Sequence, residues 1–273
     1  MNENEILRLK ELAKKIRLDV LEMTFKAGAD GGHLGGAFSC AEILAILYGK
    51  ILNVNSKNPF DENRDRFILS KGHVALAHYS ILAQSGFLTQ DDLNSFEQNN
   101  SDFPTHEVIN IEKGIETSSG SLGYGLSIGV GVALNAKLKN KSYRTYVLLG
   151  DGECNEGSVW EAVQSAVKFK LDNLTAVIDF NEQSLDGKNI IPIQNLSGVL
   201  ENFGFEVHEC NGHDFNELEN ALTQNEFNDR PKIIIAHTLK AKGIKSIEGS
   251  EGWHHARLNQ NDYENFRKEL ENA

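Results

Sequence analysis

The chain has 273 residues, is 40% hydrophobic and carries a formal charge of −12. That size suits one large α/β domain with a full core, or two small ones, and the composition excludes a disordered chain. No apolar run reaches the roughly 18 residues that a membrane-spanning helix needs, and no Lys/Arg-rich block is present to meet nucleic acid.

In chain order, the N-terminus Met1-Asn-Glu-Asn-Glu is acidic and polar, unlike a secretory signal. Residues 3–28 repeat Ile6, Leu9, Leu12, Ala13, Ile16, Val20, Met23 and Ala27 at helical spacing, which predicts an amphipathic helix. Five glycines between Gly28 and Gly36 then surround His33. Ser39, with Glu42 three residues later, reads as a capping box for a helix carrying Ile43, Leu44, Ile46 and Leu47. Residues 64–69 read as a short strand running into Ser70-Lys-Gly-His73, followed by a helix to about Gln84. Residues 97–119 read mostly as loop, and Gly120-Ser-Leu-Gly-Tyr-Gly125 opens a small-residue helix to about Leu138.

The second half alternates: strand 144–149, helix 158–169, strand 174–179, a loop, strand 205–209, helix 214–224 and strand 232–238, before a polar helix at about 259–271. Strands alternating with helices predict a parallel sheet covered on both faces. The expected fold is therefore a three-layer αβα, doubly wound α/β domain over 1–273, with no internal repeat or linker to divide it. Cys40, Cys154 and Cys210 form no CxxC pair and read as reduced thiols in a cytoplasmic protein, Cys154 as a packing residue.

Ligands of such sheets bind at the carboxyl ends of the strands. Two sequence turns fall there. Thr145-Tyr-Val-Leu-Leu149 runs into Gly150-Asp151-Gly152, and Leu174-Thr-Ala-Val-Ile178 leads to Asn181. Asp151 and Asn181 can hold one hard divalent cation through oxygen, with the Gln183 carbonyl as a third ligand. The bare glycines Gly150 and Gly152 let a diphosphate approach the backbone. This suits a Mg²⁺–diphosphate cofactor, because Mg²⁺ takes one or two protein oxygens together with phosphate oxygens. The plainer reading is an Asx-turn at Asn181 and a second turn at Asp186-Gly187.

Four histidines, His33, His73, His106 and His254, each stand beside glycine, proline or tryptophan or in a loop at an element end. Histidine serves where a hydroxyl loses a proton and an anion is held near pH 7. His78, His208, His213, His237 and His255 have less distinctive surroundings and read as structural.

The ordered set of motifs resembles the diphosphate-binding half of the transketolase family, in the group whose enzyme is split into two subunits. It comprises Gly31-Gly-His-Leu-Gly-Gly36, Asp65-Arg-Phe-Ile-Leu-Ser-Lys-Gly-His73, Phe103-Pro-Thr-His-Glu107, Glu116-Thr-Ser-Ser-Gly-Ser-Leu-Gly-Tyr-Gly125, Gly150-Asp-Gly-Glu-Cys-Asn-Glu-Gly157 and Trp253-His254. The resemblance implies thiamine diphosphate and Mg²⁺, with Ca²⁺ or Mn²⁺ able to substitute, and transfer of a two-carbon ketol unit from a ketose to an aldose. Asp151, Asn181 and the Gln183 carbonyl would hold the metal. Gly152, His73 and His254 would contact the diphosphate; Leu122, Gly123 and Leu185 would line the rings of the cofactor. His33 and His106 would face the substrate, with His33, His73 and His254 moving protons. Glu156 would lie at an interface that links active sites.

Two departures from the family pattern carry expectations. The pyrimidine-binding domain, with the glutamate that activates the cofactor, is absent from this sequence. It is expected on a partner chain, in a heterotetramer of two plus two chains that handles sugars or sugar phosphates. Ser95-Phe-Glu97-Gln98 stands where the family usually has Phe-Arg-Gln, so Glu97 reverses a charge near the sugar. That implies a modified or unusual sugar, or else Glu97 faces water. Three other identities share part of the pattern: the alpha chain of a 2-oxoacid dehydrogenase, a 1-deoxyxylulose-phosphate synthase, and a catalytically silent cofactor-binding partner.

Overall fold

The computed structural model describes residues 1–185, 187–189, 191–224 and 229–272. Helix α1 spans Glu3–Lys26, started by a capping box between Asn2 and Glu5. Its Leu9, Ala13, Ile16 and Val20 are buried at the spacing read from the sequence. Two short helices follow, α2 (Leu34–Ser39) and α3 (Ala41–Ile46), then a wide turn over Leu47–Ile51.

Ser39 does not cap. It ends α2, and its hydroxyl donates to Asp179 Oδ2 at 2.5 Å, while α3 starts from Cys40 with no side-chain cap. Glu42 is buried instead against Arg17, whose Nη2 lies 2.6 Å away. The local rule fails because a buried carboxylate on a distant strand competes for the same hydroxyl.

Strand β1 (Arg66–Leu69) leads through a single turn at Gly72–Val74 into α4 (Ala75–Gln84). A five-residue helix, α5 (Gln90–Asn94), and a 3₁₀ turn at Ile111–Lys113 interrupt an otherwise irregular stretch. Then come α6 (Tyr124–Leu138), β2 (Thr145–Gly150), α7 (Gly157–Lys168) and β3 (Leu174–Phe180). A two-residue hairpin pairs β4 (Gln183–Ser184) with β5 (Gly187–Lys188). Helix α8 (Leu196–Phe203) occupies what reads as loop in the sequence. The chain continues through β6 (Glu206–Asn211), α9 (Phe215–Thr223), β7 (Lys232–His237) and α10 (Gln260–Glu271).

Among the described residues, five strands form one sheet in the order β1-β2-β3-β7-β6, and every neighbouring pair is parallel. Alternate residues feed two separate cores. Phe67, Leu69, Tyr146, Leu148, Val177 and Ile234 pack under α1–α4, α9 and α10, while Ile68, Val147, Leu149, Ala176, Ile178 and Ile235 pack under α6–α8. Strands buried on both faces explain the continuous apolar runs in the sequence. The chain steps inward from the edge strand β1 to the central β3, crosses to the far edge at β6 and returns to β7, which is the doubly wound arrangement. The helix face of α6 that carries Tyr124, Ile128 and Leu138 stays exposed.

Candidate active site

The carboxyl ends of four strands meet at one edge. Register pairs Leu69 with Leu148, Gly150 with Asp179, and Phe180 with His237. The residues just beyond those ends, at 70–73, 151–152, 181 and 238–240, therefore crowd one crevice. A cavity of about 260 Å³ there is lined by His33, His73, His106 and His254, and by Gly150, Asp151, Gly152, Asn181, Gln183 and Leu185. Leu122 forms another wall. All four histidines singled out in the sequence thus reach the same cavity from four separate loops.

Their rings form a cluster. His33 lies 5.5 Å from His73, 5.8 Å from His106 and 5.1 Å from His254 by ring centroid, and His73 lies 5.0 Å from His254. His255, read as structural, also packs at 4.8 Å from His33. The end of the chain is docked by backbone contacts: Gly32 and Ala256 exchange hydrogen bonds of 2.9 and 2.8 Å, and Gly35 N donates to Trp253 O at 3.0 Å. A Cβ at Gly35 would stand 2.2 Å from that Trp253 oxygen, so the contact exists because the position is bare.

Burial first, and then the neighbouring imidazoles and Lys240, lower the pKa of His33 to about 3. Burial and the charge of Lys71 push His73 well down as well. His106 stands exposed on the rim; burial of part of its ring lowers its pKa, partly opposed by Glu97. His33 and His73 are therefore neutral imidazoles near pH 7, each offering one donor and one acceptor.

At the metal end, Asp151 is buried and accepts from Gly152 N at 2.8 Å, Glu182 N at 2.6 Å and Asn189 Nδ2 at 3.0 Å. Burial and the nearby charge of Asp179 push its carboxyl above the usual range. A cation beside it would relieve that cost. Asn181 makes the Asx-turn of the plainer reading, its Oδ1 accepting from Gln183 N at 3.1 Å. Of the second turn in that reading, Asp186 lies outside the described residues. Two buried acceptors at this end, Gln183 Oε1 and Asn189 Oδ1, have no hydrogen-bond donor among the described residues. Among the described residues no group of three or more His, Cys, Asp or Glu could hold a metal ion. One carboxylate with amide oxygens is nevertheless a donor set that fits Mg²⁺ completed by phosphate.

The glycines fit a diphosphate. A Cβ built at Gly150 would meet nothing closer than Lys71 Cβ at 3.9 Å, so that backbone borders open space. Two lysines supply the positive charge, and neither stands out in the sequence. Lys71 and Lys240 line the cavity and are 2% exposed. Burial disfavours the charge on Lys71, but its ion pair with Asp179 outweighs that and raises its pKa. Lys240 Nζ donates to Leu185 O at 2.5 Å, which ties the loop after β3 to the end of β7. Lys71 sits inside the motif ending at His73, and Lys240 follows β7 much as Asp151 follows β2. Strand-end position is the signal that could have found them.

Glu153 is a third residue that sequence reasoning missed. It is buried beneath the glycine turn, accepting from Gly123 N at 2.7 Å, Gly150 N at 3.0 Å and the Ser70 hydroxyl. Gly123 starts α6 at φ +84, where a Cβ would meet Ser158 Oγ at 2.4 Å. Glu156 is exposed at the start of α7 and does not line the cavity. Glu97, in the left-handed region at φ 55, is half-buried, and its carboxylate accepts from Thr105 N, next to His106.

The fold and site together define an α/β domain with a crevice at the strand ends in which histidines, two buried lysines, Asp151 and bare glycines converge. Residues 9–272 match the family model described as transketolase, thiamine diphosphate binding domain. The chain is 40% identical over 249 residues to one of the subunits of apulose-4-phosphate transketolase from Actinobacillus succinogenes, covering 90% of each chain. It is 34% identical to a 6-deoxy-6-sulfo-D-fructose transketolase subunit of Clostridium sp. (strain MSTE9), covering 99% of this chain and 98% of that one. The crystal structure of transketolase from Campylobacter jejuni superposes with a TM-score of 0.88 at 32% identity, over 99% of this chain and 43% of that one. The chain belongs to the transketolase family. It corresponds to the thiamine diphosphate-binding part, which spans less than half of that solved transketolase and nearly the whole of the two relatives named as subunits.

Proposed function

We propose that this chain is the diphosphate-binding subunit of a two-component transketolase, moving a two-carbon ketol unit from a ketose to an aldose. The observation that carries the reading is the convergence of His33, His73, His106 and His254 with Asp151, Asn181 and the bare glycines in one crevice. The alpha chain of a 2-oxoacid dehydrogenase is not expected to carry that histidine set.

Thiamine diphosphate, when bound, supplies the electron sink for breaking and making the carbon–carbon bond. Asp151, Asn181 and the Gln183 carbonyl hold Mg²⁺, or Ca²⁺ or Mn²⁺ in its place. Lys71, Lys240, His73, His254 and Gly152 hold the diphosphate, and Leu122, Gly123 and Leu185 wall the rings. Neutral His33 and rim-mounted His106 hydrogen-bond the sugar hydroxyls and carbonyl. As neutral imidazoles, His33 and His73 each present a ring nitrogen that can accept a hydrogen bond from a hydroxyl, and with His254 they are the candidates for moving its proton.

The second component carries the pyrimidine-binding domain, in a heterotetramer of two plus two chains. Relatives that are themselves named as single subunits of a transketolase support a partner chain, and the exposed Tyr124, Ile128 and Leu138 of α6 offer it an apolar face. Glu156, exposed near the start of α6's neighbour α7, belongs to the same assembly surface. No described helix is long and apolar enough to cross a membrane; with three free cysteines, the assembly is assigned to the cytoplasm. The substrate is a modified sugar. Glu97 in place of an arginine supports this, as do relatives named for apulose-4-phosphate and 6-deoxy-6-sulfo-D-fructose.

The test is calorimetric titration of thiamine diphosphate and Mg²⁺ into the chain assembled with its partner, followed by ketose turnover. Saturable binding that Asp151→Ala abolishes supports the reading. Absence of binding by an assembled complex would reduce the resemblance to one of fold.

A further inference from the structure

We propose that His78 is a positioning residue for the substrate-facing His106, acting through Glu107. This rests on the transketolase reading only for what His106 does, not for where it is held. His106 lies on an irregular segment between α5 and α6, yet its neighbours are fixed one by one. The Tyr79 hydroxyl donates to Pro104 O at 2.9 Å. Thr105 N donates to the Glu97 carboxylate. Glu107 O accepts from Ser119 N at 2.9 Å, and its carboxylate meets His78 Nδ1 at 2.6 Å. The His106 ring is left to reach the cavity, 5.8 Å from His33.

The His78–Glu107 contact is the unusual member of this set. Both side chains are buried, at 0% and 1% exposure, in a part of the core that also holds Phe67, whose ring lies 4.9 Å from that of His78. A carboxylate only accepts, so Nδ1 of His78 carries the proton, and Nε2 then accepts from the Tyr48 hydroxyl 2.7 Å away. The result is a chain of donors, Tyr48 to His78 to Glu107, ending one residue from His106. Buried polar groups cost stability unless paired, so a chain like this fixes one geometry rather than several. Both His78 and Tyr79 come from α4, whose first turn follows His73. One helix thereby sets the relation between the diphosphate-facing His73 and the sugar-facing His106.

The experiment compares His78→Asn with the double variant His78→Leu/Glu107→Leu in the assembled complex. Asparagine can still donate to Glu107. The double variant removes both ion-pair partners together and leaves no buried unpaired charge, only the half-buried Tyr48 hydroxyl without its acceptor, so it is expected to fold. Expected for the double variant are unchanged thiamine diphosphate affinity and a fall in kcat/KM for the ketose on the order of 10- to 100-fold. His78→Asn is expected to stay near wild type. A folded double variant with wild-type kcat and KM overturns the proposal, because a pair that serves only the core would behave so. If the wild-type complex turns over no ketose, the functional reading fails separately. The positional claim is then decided by ¹⁵N-histidine spectra of the full chain, with His106 assigned through His106→Asn. Its ring signals are expected to move in the double variant and not in His78→Asn, and signals unmoved in both overturn the proposal.

Discussion

The ring of His33 lies 5.1 Å from that of His254, although the two residues sit near opposite ends of the chain. What joins them is a backbone-to-backbone contact across bare glycines. Gly32 pairs with Ala256 as an isolated antiparallel bridge, and Gly35 N donates to the Trp253 carbonyl. The cavity's far wall is therefore a segment with no regular structure, held against the start of α2.

Gly35→Ala tests that contact. The added methyl would meet Trp253 O at 2.2 Å, and backbone cannot yield as a flexible side chain does. The 253–256 segment is expected to lift away with His254, while the sheet and both cores stay intact. Thiamine diphosphate affinity of the complex should fall at least about tenfold, a change of about 1.4 kcal/mol. Unchanged affinity in a folded variant would mean that His254 is held by something other than this contact.

His33 gives the site a pH signature. Its pKa is about 3 in the folded chain, against an ordinary value of 6.5. Below about pH 6.5 the unfolded state takes up a proton that the folded state refuses, so this contribution to stability is complete above that value and is lost progressively towards pH 3. Melting temperature should fall between pH 7 and pH 4, and His33→Asn should flatten that fall. Parallel curves for the two proteins would place the titration elsewhere.

Glu97→Gln separates charge from geometry at the loop. Glutamine keeps an acceptor for Thr105 N but removes the negative charge beside His106. If that charge selects the sugar, the ratio of kcat/KM for an ordinary ketose phosphate over a modified ketose should rise several-fold. A constant ratio would confine Glu97 to anchoring the loop.

Arg17→Met addresses stability away from the cavity. Burial opposes ionisation of Glu42, but Arg17 and His213 outweigh it and hold its pKa at about 2. Losing Arg17 leaves a buried carboxylate with His213, 3.0 Å away, as its remaining partner among the contacts described. Breaking a buried pair from one side costs about 3–5 kcal/mol, which urea unfolding would read. Because the pKa of Glu42 is depressed in the folded state, the wild-type contribution is present above about pH 4.5 and fades as pH falls towards 2.

The sequence by itself determined the layers and the edge where the chemistry sits. Strands buried on both faces must be apolar throughout, so 145–149 and 174–178 were legible as strands, and Asp151 and Asn181 as residues at their ends. The bare glycines of the turn after the first of these strands, Gly150 and Gly152, are likewise visible before any fold is known, whereas the contact that needs Gly35 is not. Three things were decided only by tertiary structure. Ser39 has the local pattern of a cap, yet a buried carboxylate on β3 claims its hydroxyl. Lys71 and Lys240 look like ordinary surface lysines until strand pairing brings their neighbours to one edge and buries them. Glu97, which reads as a sugar contact or a solvated charge, is bound to the backbone beside His106. For Ser39 and the two lysines the partners lie far away in the chain, and local spacing carries no information about contacts that depend on how strands are ordered across a sheet; for Glu97 the partner is only eight residues on, but on an irregular stretch with no periodicity to predict it.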